Sequence, residues 1–123
     1  MDSNDKSDNP NDIVTDEHHV WPTGNRIDVY RKTPAGEVYI YEMKVGSGSP
    51  IDLYQLKMYW DGLLLAGIQP SEGVLLVEQY SSTLEEMCNL MMEHLTPPSI
   101  LNKNKPSDPY NFKIEKHIDK KLR

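Results

Sequence analysis

The stretch RIDVYRKTPAGEVYIYEMKV, Arg26 to Val45, decides how this chain folds. Its two arms, Arg26 to Lys32 and Glu37 to Val45, alternate in polarity and are rich in β-formers. Between them, Pro34 suits the second position of a type I turn and Gly36 suits the left-handed residue that follows. The arms therefore read as a β-hairpin closed by a three-residue loop with a G1 bulge. That turn fixes a register in which Thr33 faces Glu37, Asp28 faces Glu42 and Arg26 faces Lys44. Directly opposed residues share a face, with Cβ atoms about 4.5–5.5 Å apart. Two carboxylates set against each other in this way call for a shared proton or a bound cation. A slip of one residue would send them to opposite faces.

Outward from the hairpin, Gly46-Ser47-Gly48 ends the second strand. Ser49 can cap a helix, with Pro50 in its first turn and Asp52 three residues on; the helix is expected to reach about Ala66 and stop at Gly67. Leu53, Leu56, Trp60, Leu63 and Leu64 make its apolar stripe, and Asp52, Gln55 and Tyr59 lie together on another face. GVLLVEQY, Gly73 to Tyr80, is apolar on both faces at Val74 to Val77, as a buried parallel strand should be. Strand, helix and strand then form a right-handed crossover. A second helix is expected over about Thr83 to Leu95, with a Thr83/Glu86 capping box and an apolar stripe of Leu84, Met87, Cys88, Met91 and Leu95. Beyond Pro97-Pro98 the expectation is a loosely ordered tail, with a short helix near Ile114, Ile118 and Leu122.

A chain of 123 residues allows one domain. Its charge is uneven. Residues 1–17 carry Asp2, Asp5, Asp8, Asp12, Asp16 and Glu17 against Lys6, and read as a disordered acidic arm. Residues 18–98 read as the α/β domain, and residues 99–123 as a basic C-terminal tail. The domain itself is acidic, a poor match to a polyanion unless metal ions supply positive charge. The single cysteine, Cys88, excludes an intramolecular disulfide and a Cys-built zinc or iron–sulfur site. The polar opening Met1 to Asp12 does not resemble a secretory signal, and Leu63 to Ile68 is far shorter than the ~20 apolar residues of a membrane span. A soluble, cytoplasmic protein is expected.

An Asp on one strand, Glu-Met-Lys on its partner and Gln-x-x-x-Tyr on the next helix (Asp28, Glu42-Met43-Lys44, Gln55 and Tyr59) together resemble the PD-(D/E)XK nuclease superfamily, especially its RecB-like and VRR-NUC-like branches. The resemblance covers about Gly24 to Tyr80. It implies a restriction-endonuclease-like fold: a small mixed sheet in which a hairpin is followed by a βαβ crossover. It also implies that Asp28, Glu42 and the Met43 carbonyl hold Mg²⁺ or Mn²⁺, hard ions that take oxygen ligands. Lys44 would position or deprotonate the attacking water and stabilise the transition state. Gln55 and Tyr59 would orient the metal shell or contact the nucleic-acid backbone, joined by Arg26. The expected function is divalent-metal-dependent phosphodiester hydrolysis, with DNA favoured over RNA. Superfamily members begin with a helix that has no clear counterpart here. A protein partner or a second copy is the expected source of that helix. The alternative is a non-catalytic subunit or scaffold of the same fold, completed by a partner.

Each residue also has a plainer reading. Glu42 and Lys44 can be the solvated face of a sheet, Gln55 and Tyr59 a polar helix flank, and Arg26 a surface cation. His18 and His19 read as exposed loop histidines, since neighbours on an extended strand point apart. Met87, Met91 and Met92 fill the core and flank a helix, and Cys88 is a small buried hydrophobe. The site reading rests on the whole set, in order, on the correct elements.

Overall fold

In the computed structural model the chain turns where Pro34 and Gly36 predict. Gly36 sits at φ +90°. Its N–H donates to the Thr33 carbonyl at 2.9 Å, and the Thr33 N–H donates to the Glu37 carbonyl at 2.9 Å. Residues 30–103 and 105–116 are described in full, and residues 13–15, 18–20, 25–27 and 29 as strand backbone. Strands β1 (Ile13–Thr15), β2 (His18–Val20), β3 (Asn25–Ile27) and β4 (Val29–Lys32) precede the turn, and β5 (Val38–Ser47) follows it. β4 pairs with β5 in the predicted register, from Lys32↔Val38 to Val29↔Tyr41. Asp28, the next position, lies outside the described residues.

The first arm is not one strand. β3 pairs antiparallel with β2, setting Arg26 against His19 rather than against Lys44. The backbone groups of β3 find their partners in that second, two-stranded sheet, which is why it leaves the hairpin. β1 pairs with β4 at the edge of the main sheet, Val14 opposite Arg31. Part of the stretch expected as an acidic arm is therefore strand: Ile13-Val14-Thr15 is a β-branched triplet that the polar average hides. The rest of the arm, residues 1–12 and 16–17, lies outside the described residues.

The main sheet runs β1-β4-β5-β6-β7, with β6 (Glu72–Gln79) parallel to β5 and β7 (Phe112–Lys116) parallel to β6. Helix α1 (Pro50–Leu65) makes the crossover, and its apolar stripe of Leu53, Leu56, Trp60, Leu63 and Leu64 is at most 1% exposed. Gly67, at φ +85°, follows its C-terminus. Parallel pairing places Ile40, Glu42 and Lys44 on the same face as Gly73, Leu75 and Val77. Leu56 of α1 lies over Gly73, and Leu84 of α2 (Ser82–His94) lies beside Val77 and Gly48, so both helices cover this face.

Two expectations about α2 change. Its N-cap is Ser81, whose hydroxyl accepts the Leu84 N–H at 3.1 Å, so the Thr83/Glu86 box is not needed. Leu95 closes the helix in an extended conformation and is exposed, whereas Leu84 and Cys88 are buried. Burial, with the charge of Glu85, pushes the Cys88 thiol up to about 11. We expect it to react with a disulfide reagent at pH 8 on the order of 10²-fold more slowly in the folded protein than in urea. Equal rates in the two conditions would contradict the burial.

The larger correction concerns the C-terminal segment. Ile100, Tyr110 and Phe112 are core residues, and Ile114 lies on a strand rather than a helix. Ile118 and Leu122 lie outside the described residues. β6 has a free edge once β5 is paired, and Tyr110-x-Phe112, with the alternation of a strand, supplies both the partner and the cover. Phe112 meets Trp60 edge-on at 5.3 Å and 87°, and stacks on Tyr110 at 5.1 Å. The Tyr110 hydroxyl donates to Asp61 Oδ1 at 2.7 Å. No helix among the described residues is long and apolar enough to cross a membrane.

Candidate functional site

β5 leaves the core along a single face. Val38 and Ile40 are sealed at 2% and 0% exposure, Glu42 follows at 7%, and the Lys44 side chain emerges at 39%. Glu42 thus stands at the rim of the core and Lys44 just beyond it, at the carboxyl end of a parallel strand. This is where open α/β sheets place their ligand sites. Met43, between them, turns its side chain to the opposite face beside Leu76, leaving its backbone in line with the two charged residues.

The turn after Lys44 brings the next helix back to the site. The β5–β6 ladder shifts between Lys44 and Ser47. Gly46 takes φ +98°, and its N–H donates to Glu78 Oε1 at 2.6 Å. The Gly48 N–H donates to the Gln79 carbonyl at 2.9 Å. A Cβ on Gly48 would meet Leu84 Cδ2 at 3.0 Å and Val77 Cγ1 at 3.1 Å, so any larger residue here would make those side chains give by a few tenths of an ångström. Ser49 then caps α1. Its N–H and hydroxyl both donate to Asp52 Oδ2, at 2.8 and 3.1 Å, while the Asp52 N–H donates to the Ser49 carbonyl at 3.0 Å.

Lys44 closes the arrangement. Its Nζ lies 3.2 Å from Asp52 Oδ2 and 3.5 Å from Ser49 Oγ. Asp52 is 4% exposed. A buried carboxylate is costly unless paired and hydrogen-bonded, and the ammonium together with the two Ser49 donors meets that requirement. The sequence places Asp52 as a helix-cap residue and on one helix face with Gln55 and Tyr59. Its ion pair with Lys44 has no signal in the spacing, which the helix cap already explains.

The other expected site residues are distributed as follows. Gln55 is exposed, one turn along α1 from Asp52. Tyr59, one turn further, is half-buried and packs against the core. Arg26 lies on β3 in the two-stranded sheet, which sits against α1. His18 and His19 belong to β2 of that sheet. The structure therefore gathers Glu42, Lys44, Ser49 and Asp52 at one end of the sheet. Among the described residues, no three His, Cys, Asp or Glu side chains stand close enough to hold a metal ion. Asp28, the expected second carboxylate, lies outside the described residues.

The sequence matches no protein-family model and no curated protein. Solved structures that resemble the chain include EndoMS in its apo form, with a TM-score of 0.55 and 14% identity, over 95% of this chain and 43% of that one. A complex of EndoMS with dsDNA gives 0.52 and 15%, over 87% and 37%. A repair endonuclease from Pyrococcus abyssi gives 0.49 and 15%, over 74% and 33%. The chain spans between a third and under a half of the length of these proteins. Its fold is a restriction-endonuclease-like α/β core, and the described residues ahead of the hairpin are short strands where a first helix would be expected.

Proposed function

We propose that this chain is a nuclease core of the PD-(D/E)XK type, which hydrolyses phosphodiester bonds with Mg²⁺ or Mn²⁺ and acts on DNA in preference to RNA. The observation that carries the reading is the placement of Glu42 and Lys44. They share one face of β5 at the carboxyl end of the sheet, one side chain at the edge of the core and the other just outside it. The fold that holds them also resembles part of EndoMS, a protein solved with dsDNA.

In this reading Asp28, Glu42 and the Met43 carbonyl would hold the ion. A carboxylate and carbonyl set is the hard-oxygen chemistry that Mg²⁺ and Mn²⁺ prefer. When bound, the ion supplies positive charge to the scissile phosphate and acidifies the attacking water. The rim position of Glu42 keeps one side of the site dry, which strengthens every electrostatic contact there. Lys44 acts as an ammonium: it donates to the attacking water or to a phosphate oxygen and offsets the charge that builds as the P–O bond breaks. Gln55, exposed on α1, and Arg26 contact the sugar–phosphate backbone, and Tyr59 braces the helix beneath Gln55. The acidic domain gains from the ion for the same reason, since a polyanion needs cations to approach it.

The test is incubation of the purified chain with supercoiled plasmid and with single-stranded DNA, in Mg²⁺, Mn²⁺ or EDTA. Cleavage with either metal and none in EDTA is expected. Cleavage that persists in EDTA, or no cleavage under any of these conditions, would overturn the proposal.

A further inference from the structure

We infer that Asp52 is a positioning residue for Lys44, holding its ammonium at the mouth of the site in the orientation the reaction needs. The inference rests on the nuclease reading above and adds a residue to it. Three donors converge on the same oxygen, Asp52 Oδ2: the Ser49 N–H at 2.8 Å, the Ser49 hydroxyl at 3.1 Å and Lys44 Nζ at 3.2 Å. The two Ser49 donors fix that oxygen relative to the first turn of α1. The oxygen in turn fixes the end of a long side chain that is 39% exposed and would otherwise sample several rotamers.

A capping role alone does not account for this. A cap carboxylate needs only to meet backbone N–H groups at the helix end, and it does so at the surface at little cost. Asp52 is instead 4% exposed, and burial of a charge is tolerated where a counter-charge is supplied. The turn between strand and helix is built for the same contact. Gly46 at φ +98° and the tightly packed Gly48 return the chain so that Ser49 and Asp52 arrive beside the side chain of Lys44. Displacement of a reacting or stabilising group by about 1 Å can cost on the order of 10²-fold in rate. An anchor that holds Lys44 Nζ therefore has a kinetic consequence even though Asp52 itself touches no substrate.

The experiment compares the whole chain with Asp52→Asn, in which the side-chain oxygen can still accept from Ser49 but the counter-charge for Lys44 is gone. With plasmid DNA and Mn²⁺, kcat is expected to fall about 10–100-fold, the usual range for loss of a supporting partner, with KM changed less than about threefold. Mn²⁺ affinity by calorimetry should stay within about twofold of the wild type, because Asp52 does not ligate the ion. In a Lys44→Met background the same substitution should change residual cleavage less than about twofold, since there is no ammonium left to hold. Ser49→Ala, which removes one donor from Oδ2 and the 3.5 Å contact of Ser49 Oγ with Lys44 Nζ, should show a smaller fall of the same kind. It decides the matter if Asp52→Asn does not fold. An unchanged kcat in Asp52→Asn, or in Ser49→Ala where that variant decides, would remove Asp52 from this role and leave the nuclease reading standing. A full further loss on adding Asp52→Asn to Lys44→Met would do the same. A wild-type chain that cuts nothing would instead overturn the nuclease reading, and the role of Asp52 with it.

Discussion

Lys44→Ala is expected to lower phosphodiester cleavage by about 10²–10⁴-fold while leaving Mn²⁺ affinity within about twofold of the wild type. The two halves of this expectation come from different geometry. Lys44 lies on the same face of β5 as Glu42, two residues further out, so its ammonium can reach a phosphate or water at an ion held by Glu42. It supplies no oxygen to the ion, so the metal is retained. The stability effect is small by comparison. The partly exposed ammonium screens the pair, but Asp52 is left buried with its Ser49 donors and no counter-charge, so loss of the pair costs about 1–3 kcal/mol. A urea midpoint lowered by no more than that loss implies, alongside a collapse in cleavage rate, is the combination expected. A rate within about threefold of the wild type would remove Lys44 from the chemistry.

Trp60→Ala is expected to have the largest effect on stability, about 3–5 kcal/mol, against a total of about 5–15 kcal/mol for a domain of this kind. Trp60 is 0% exposed and holds α1 against the last strand, edge-on to Phe112 at 5.3 Å and tilted on Tyr110 at 5.9 Å. Removing it opens a cavity that neither the aromatic pair nor the helix backbone can collapse to fill. Trp60→Phe should cost less than half as much. It keeps the ring contacts, and it removes a buried indole N–H that has no hydrogen-bond acceptor among the described residues. Urea unfolding followed by circular dichroism gives both values. Alanine and phenylalanine variants of equal stability would contradict the account of the core.

Much of this architecture is legible in the sequence because local chemistry dictates it. Pro34 and Gly36 select one turn, and the turn selects one register from Val29 to Lys32 against Tyr41 to Val38. Ser49, Pro50 and Gly67 punctuate α1 at both ends, and its stripe is apolar at helical spacing. What escapes the sequence depends on partners distant in the chain. The break between β3 and β4 leaves the alternation intact, and only β2, several residues upstream, reveals that the two halves belong to different sheets. β7 lies in a run rich in Lys, Asn and Pro, and its place is set by the open edge of β6. Ser81, Ser82 and Thr83 are three adjacent capping residues, so composition alone does not choose among them.

The site divides along the same line. Glu42 and Lys44 on one strand face follow from alternation alone, and the structure places both at the end of the helix-covered face. The second role of Asp52 does not follow. Its cap function already accounts for an Asp three residues after Ser49, and nothing in the spacing says that the Lys44 side chain bends back toward it. Gln55 and Tyr59 share a helix face, yet one is exposed and the other packs on the core, a difference set by neighbouring elements and not by helical spacing.

The most direct test of the central claim is calorimetric titration of Mn²⁺ into the wild-type chain and into Glu42→Gln at equal concentration, both first freed of metal with EDTA. The account predicts saturable binding by the wild type, at least tenfold weaker in Glu42→Gln, because in the proposed site the rim carboxylate would be one of two that hold the ion. Equal binding by the two proteins, or no binding by the wild type, would contradict it.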